Sequence, residues 1–178
     1  IKYPEKGDIV SEQREYIKSA FDSFESALFS SDYQDSSIGY RKYLDVNSFS
    51  NYFLFEEFVG NPDAFWSTYM VKKRGDNLFY TGPVWDFGLV MDNDSRLYPT
   101  SAIKDFLSTS KASAAGTPIQ VAGAFTAGSI GNGNNMKAYL NRLLSDPQFK
   151  NDLYNSWKNI RESKGLTSEY LMKRITEL

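Results

Sequence analysis

Apolar side chains recur at spacings of three and four residues in the first third of the chain, which places them on one face of a helix. The first such segment predicts a helix over about residues 11 to 30, with Ser11 as its cap. Its spaced apolar positions are Ile17, Ala20, Phe21, Phe24 and Leu28. A second helix is predicted to follow a cap at Asp45 or Asn47 and to end at Gly60. Its spaced positions are Phe49, Tyr52, Phe53, Glu56 and Val59.

Two short runs rich in β-branched and aromatic residues, 68–72 and 78–81, flank a polar turn at 73–77. This arrangement predicts a β-hairpin. Gly82 and Pro83 then turn the chain, so that Asp86 is predicted at the end of a strand or just beyond it.

Residues 108–135 are rich in Ser, Thr, Ala, Gly and Asn, with Lys111 as their only charge. We interpret them as a long loop, either a lid or an insertion. Helical periodicity resumes over 136–144, 147 to about 160, and 167–178. We therefore predict one domain fragment over 1–178, of the α+β class, mostly helical and packed around a small antiparallel sheet.

The composition limits the chemistry that this chain can perform. Of its 178 residues, 41% are hydrophobic and 16% aromatic, which is typical of a folded globule with a sizeable core. Histidine and cysteine are absent, which excludes Ser-His triads, cysteine nucleophiles and disulfides, and no zinc or haem is expected. Chemistry would depend on carboxylates, lysine, tyrosine or hard metals with oxygen ligands.

The charge pattern and the apolar runs bear on partners and location. The 20 basic and 22 acidic residues leave a net charge of -2 without a basic block, so no nucleic-acid partner is expected. No apolar run is long enough for a membrane span, and the first residues show no signal-peptide pattern. Because the chain begins without methionine, we expect it to be part of a longer protein whose signal or anchor lies upstream.

Asp63 and Asp86 each lie where a regular element gives way to a loop, with the predicted hairpin between them. Folding of the hairpin can bring both carboxylates to one end of the sheet. There they could hold Mg²⁺ against substrate phosphates, or divide the roles of base and metal ligand. The alternative is structural: Asp63 forms an Asx-turn after Pro62, and Asp86 accepts hydrogen bonds from neighbouring backbone.

Aromatic residues concentrate near the same site. The group comprises Phe65, Trp66, Tyr69, Tyr80 and Trp85. They either fill the core or, with Trp66 and Trp85 as the surface candidates, stack on sugar rings or partner proteins. A two-carboxylate glycosidase with Asp63 and Asp86 as acid and base is a third possibility.

Several motifs resemble, in order and spacing, those of the spore coat protein H (CotH) kinase family. They are YRKYLDVNSF at 40–49, YFLFEE at 52–57, GNPD at 60–63, STYM at 67–70 and GPVWDF at 82–87. Residues 139–157 also look like the closing helices of that family, so the likeness covers most of 40–178.

The resemblance implies a bacterial, extracellular or cell-surface protein with the C-terminal lobe of a remote kinase-like fold. Members of this family are atypical kinases that transfer the γ-phosphate of ATP to Ser or Thr in protein substrates, with Mg²⁺ or Mn²⁺. Asp63 in the Asn-x-Asp motif matches the catalytic aspartate of the family, and Asp86 in Trp-Asp-Phe matches its metal-binding aspartate. Asn61 is then either a support for the catalytic loop or a plain helix stop.

The chain departs from the family pattern at the site itself. Gly88 stands where the family usually carries an acidic residue or Asn, and Thr68, a weaker ligand, stands near an expected Asn. Asp92 or Asp94 is a possible substitute ligand, although these residues also suit a solvated turn. The Asp-Phe-Gly letters at 86–88 are weak evidence for a conventional kinase, since a preceding His-Arg-Asp pattern is impossible without histidine.

A glycine-rich phosphate loop with a strand lysine and its glutamate partner is not found in this sequence. We therefore expect the fragment alone to be inactive, and the full-length parent to be either an active kinase or a degenerate one. The alternative function is a non-catalytic surface adhesion module, or a module that binds glycans or proteins, on the same scaffold. Substrate and oligomeric state are not predicted.

Overall fold

The computed structural model describes residues 1–5, 7–61, 68–88, 90, 136–163 and 165–177. In these ranges the chain forms five α-helices: α1 Ser11–Phe29, α2 Val46–Val59, α3 Met136–Leu144, α4 Pro147–Ser163 and α5 Ser168–Thr176. Two antiparallel strands, β1 Met70–Lys72 and β2 Phe79–Thr81, form a small sheet, and a 3-10 turn covers Tyr40–Lys42. The predicted class, mostly helical α+β, is confirmed. The predicted loop at 108–135 lies outside the described residues.

The caps of the first two helices explain where each begins. Ser11 was wrongly predicted as the cap of α1: it is the first helical residue, and the cap is Val10. Valine offers no side-chain acceptor, and instead the Val10 backbone N–H donates to Gln13 Oε1 at 3.2 Å. Asp45 caps α2 in the usual way, since its Oδ1 accepts from the Ser48 backbone N–H at 2.7 Å.

The hairpin is tied to the start of α2 as well as to itself. Within it, Val71 pairs with Tyr80 at the centre of the register. On the other edge of β2, the Phe79 N–H donates to the Tyr43 carbonyl at 2.7 Å, and the Asp45 N–H donates to the Phe79 carbonyl at 2.9 Å. Strand β2 therefore lies between β1 and the segment that leads into α2.

The aromatic side chains supply much of a core shared by α1 to α4 and β2. The Phe79 ring meets those of Phe21 and Phe24 with centroids 5.7 Å and 6.2 Å apart. The buried core residues are Phe24, Leu28, Tyr33, Tyr40, Leu44, Phe49, Phe53, Phe79, Tyr139, Leu140, Leu143, Phe149 and Leu153. The core thus joins residues from both sides of the long segment that the structure does not describe.

A buried carboxylate fastens the 3-10 turn to α4. The Tyr40 hydroxyl donates to Asp146 Oδ2 at 2.6 Å, and Arg41 forms ion pairs with Asp146 at 3.2 Å and Asp152 at 2.8 Å. Asp146 Oδ1 also accepts the Gln148 backbone N–H at 2.9 Å, at the start of the helix. Burial alone would raise the pKa of Asp146, but these bonds outweigh it and lower that pKa.

The last helix packs little against the rest. No residue of α5 is buried, and Tyr170, Met172 and Ile175 are exposed.

Among the described helices, none has the combination of length and apolarity that crossing a bilayer requires.

Candidate functional site

Asp86 lies in the irregular segment after β2, with an exposed side chain. Its φ of 59° is in the left-handed region, which non-glycine residues adopt uncommonly and Asp more readily than most. The turn therefore presents a carboxylate to solvent beyond the end of the strand, where the sequence predicts it.

Asn61 connects the end of α2 to this turn. Its side chain is buried, with 1% exposed, and Nδ2 donates to the Asp86 carbonyl at 3.4 Å. The Asn61 backbone N–H donates to the Glu56 carbonyl at 3.0 Å, which completes the helix stop at Gly60. Asn61 therefore takes part in ending α2 and also holds the segment that carries Asp86.

Thr68 lies against α2. Burial raises the pKa of Tyr52 to about 12, a hydrogen bond with the Thr68 side chain opposes that rise, and the charge of Glu56 adds to it. The Thr68 side chain is therefore engaged with Tyr52 on the face of α2 that also carries Glu56.

Glu56 is a residue of the site that sequence reasoning missed. Its side chain is completely buried, and neither carboxylate oxygen has a hydrogen-bond partner among the described residues. Burial raises its pKa, while the nearby Asn61 side chain offsets part of that rise. The signal was present in the sequence, because Glu56 occupies one of the regularly spaced positions otherwise filled by apolar and aromatic residues.

Aromatic rings border Asp86 on the surface. Trp85 is 39% exposed and packs on Tyr69, with ring centroids 5.0 Å apart. Phe87 is 43% exposed and meets Phe55 edge to face at 5.7 Å. Trp85 is therefore a surface residue, as the binding-module alternative requires.

The predicted residues Asp63, Trp66, Asp92 and Asp94 lie outside the described residues. The shared site of Asp63 and Asp86 thus stays a prediction.

Carboxylate oxygens, such as those of Asp86, are the donors that a hard divalent ion prefers. Within the described ranges no group of three acidic residues could hold a metal. Asp86 nevertheless offers an exposed carboxylate, and Mg²⁺ is commonly bound by one or two protein carboxylates together with phosphate and water oxygens. Asp86 is therefore one carboxylate of the kind that such sparsely ligated ions use.

Comparison with known proteins identifies the family. The CotH kinase protein model matches residues 1–178, and the chain belongs to this family. This result confirms the resemblance and extends it over residues 1–39, and it indicates a kinase-like protein. No curated protein and no solved structure matches the chain, so the likeness to a kinase C-terminal lobe stays a prediction.

Proposed function

We propose that the parent protein is an atypical protein kinase that transfers the γ-phosphoryl group of Mg- or Mn-ATP to Ser or Thr hydroxyls of a protein. The contact between Asn61 and Asp86 supports this most directly. It joins the segment that begins the Asn-x-Asp motif to the segment that carries Trp-Asp-Phe, and phosphoryl transfer needs these two segments side by side.

Each acidic residue has a distinct chemical task in this proposal. Asp63 orients the acceptor hydroxyl and takes its proton as the oxygen bonds to the γ-phosphorus. The bond from that phosphorus to the β,γ-bridging oxygen breaks, and ADP leaves. Asp86 is the protein ligand for the divalent ion, which neutralises charge on the β- and γ-phosphates when bound. Asn61 keeps the Asp86 backbone in place.

The activity belongs to the parent rather than to this chain alone. Positioning supplies most of the catalysis in phosphoryl transfer, and the sequence carries no recognisable loop to hold the α- and β-phosphates. We also place the parent outside the cell or on its surface, as expected for the family.

Nucleotide binding tests the proposal. We expect Mn-ATP at 100 times Kd, which contributes about 2.7 kcal/mol, to raise the melting temperature of the parent by roughly 5–11 °C, the shift for a domain of about 150–250 residues. Asp86→Asn should abolish most of that shift, because the amide is a weaker metal ligand. Asp8→Asn, an exposed aspartate in the N-terminal segment, is the matched control and should keep it. An unchanged shift in Asp86→Asn would contradict the assigned role of Asp86.

The exposed rings of Trp85 and Phe87 favour a second candidate, a module that binds glycans or proteins. In the same experiment this candidate predicts no nucleotide shift. Binding to a glycan or protein array should then survive Asp86→Asn and disappear in Trp85→Ala. Tyr154→Ala, which removes an exposed ring on α4, serves as the control.

A further inference from the structure

The buried carboxyl of Glu56 has an unusual environment. It lies in the last turn of α2, is 0% exposed, and has no hydrogen-bond partner on either oxygen within the part of the chain that the structure describes. Buried carboxyl groups are normally paired or hydrogen-bonded, because desolvation otherwise costs several kcal/mol. An apolar side chain would stabilise the fold better at this position, so stability does not explain the glutamate.

The helix stop brings Asn61 to Glu56. Gly60 adopts the left-handed conformation with φ 65°, and its N–H donates to the carbonyls of Glu56 and Glu57. The Asn61 N–H then returns to the Glu56 carbonyl at 3.0 Å, as in a Schellman motif. These backbone bonds hold Asn61 at the last turn of α2, and its side chain is close enough to the Glu56 carboxyl to offset part of the rise in its pKa.

The orientation of the Asn61 side-chain amide decides whether its NH₂ group or its oxygen faces the Asp86 carbonyl. In one orientation its NH₂ group faces the Asp86 carbonyl, which is the arrangement observed at 3.4 Å. A rotation of the amide by about 180° would place the amide oxygen against that carbonyl instead, so that two acceptors would repel each other. The amide is planar, and its nitrogen carries two N–H groups.

Glu56 favours the observed orientation. When ionised, its carboxylate oxygens act only as acceptors, and their negative charge attracts the N–H side of the amide. The influence of Asn61 on the pKa of Glu56 is that of a nearby donor, although no atom pair reaches hydrogen-bond geometry. Tyr52, one turn earlier on α2, is another polar group that senses the charge of Glu56.

We propose that Glu56 is a positioning residue for the candidate phosphoryl-transfer site. Its buried carboxyl orients the Asn61 amide toward the Asp86 carbonyl and so stabilises the left-handed turn that presents the Asp86 carboxylate. The role in catalysis rests on the proposed function, whereas the effect on Asn61 does not.

The first test measures the Asn61 side chain itself. In ¹⁵N-labelled protein we expect the Asn61 NH₂ protons to exchange slowly with solvent, and Glu56→Leu to speed that exchange about tenfold or more. Glu56→Gln keeps the volume and one oxygen and should restore slow exchange. Ser50→Ala removes another buried polar atom of α2 that lacks a partner among the described residues, and it should change nothing at Asn61.

The stability of the variants distinguishes a positioning role of Glu56 from a purely structural one. Glu56→Leu puts an apolar side chain in place of a buried carboxyl that has no hydrogen bond among the described residues. We therefore expect its midpoint in urea to stay equal or rise. A residue that only supports the fold would instead lower the midpoint when removed. If the branched side chain prevents folding, Glu56→Met replaces it in both measurements.

Nucleotide binding by the parent separates the two proposals. With Mn-ATP, Glu56→Leu should weaken binding about tenfold while Glu56→Gln remains near wild type. If the wild-type parent binds no nucleotide, the proposed function fails, and the exchange of the Asn61 protons still decides the orienting role. Equal protection of Asn61 in wild type and Glu56→Leu would overturn the inference.

Discussion

Gly88 leaves room beside the Asp86 carboxylate. A Cβ built on Gly88 would lie 3.7 Å from Asp86 Oδ1, an ordinary van der Waals distance, and the φ of Gly88 is outside the left-handed region. Among the described residues a Cβ is therefore accommodated at this position, next to the proposed metal ligand. A carboxylate introduced at residue 88 would start beside Asp86 Oδ1.

We predict that Gly88→Asp strengthens Mn²⁺ binding to the parent protein by about tenfold, because affinity for hard cations rises with the number of carboxylate ligands. Isothermal titration with Mn²⁺ in the presence of a non-hydrolysable ATP analogue measures the change.

The matched control for this substitution is Gly7→Asp. Gly7 has no neighbouring atom of the described residues within 4 Å of a built Cβ, so the variant adds the same charge in open space. It should leave Mn²⁺ affinity unchanged. Equal affinities for Gly88→Asp and wild type would argue against a metal at Asp86.

Part of the residue-level detail at the site could be predicted from local sequence. Asn61 and Asp86 stand at the ends of a helix and a strand, which is enough to indicate both as site candidates. Their hydrogen bond could not be predicted, since it depends on how the hairpin returns to α2. The environment of the Glu56 carboxyl likewise depends on packing, which the spacing of residues along the chain does not predict.

At the scale of elements, the start of α2 depends on Asp45. The Asp45 carboxylate accepts the Ser48 N–H, and the Asp45 backbone N–H pairs with Phe79 of β2. One residue thus ends the pairing with the sheet and begins the helix that carries Glu56.

We predict that Asp45→Ala lowers the free energy of unfolding by about 1 kcal/mol, the usual effect of losing an N-cap side chain. Chemical denaturation followed by circular dichroism measures it. Asn47→Ala is the matched control, since Asn47 is exposed inside the helix, and it should change stability little. A larger loss of stability for Asn47→Ala than for Asp45→Ala would mean that Asp45 is not the cap of α2.

Element boundaries were predictable where side chains set them and less so where tertiary contacts did. Gly60 ended α2 as its conformational freedom indicates, and the helices from 136 onward follow the apolar spacing. The strands are shorter than the runs 68–72 and 78–81 suggested. Leu78 leaves the ladder because its N–H donates to Asp76 Oδ1 in the turn, at 2.9 Å.

At the scale of the molecule, the buried Asp146 joins segments far apart in sequence. Its folded-state pKa lies below the ordinary value of 3.8, because bonds from Tyr40, Gln148 and Arg41 outweigh the effect of burial. A lowered pKa means that the carboxylate stabilises the fold above the ordinary value, and that this stability is lost as pH falls through the folded-state pKa.

We predict that Asp146→Asn costs about 2–3 kcal/mol at pH 7, because it removes the buried charge that accepts the Tyr40 hydroxyl and pairs with Arg41. Arg41 keeps its ion pair with Asp152. The difference from wild type should shrink as pH falls below about 4. Urea denaturation at several pH values measures it.

Asp22→Asn is the comparison for Asp146→Asn. It removes an exposed ion pair with Lys18 and should change stability little at any pH, because solvent screens exposed pairs. A difference between Asp146→Asn and wild type that does not shrink at all as pH falls below about 4 would mean that shape, rather than charge, explains the loss.

The general class of this molecule followed from periodicity, but its long-range organisation did not. Helical spacing and a hairpin turn suffice for an α+β prediction, whereas the pairing of Tyr40 with Asp146 joins positions that no local pattern relates. The family resemblance in the sequence likewise depends on several motifs in order and spacing rather than on any one of them.

The placement of β2 between two backbone partners makes the hairpin part of the main cooperative unit of the protein. An isolated two-stranded hairpin would open and close freely, but this one cannot detach without also breaking the entry to α2 and uncovering Phe79. Asp86 lies only a few residues beyond that strand. Its backbone is therefore anchored close to the buried core, while its carboxylate lies at the surface.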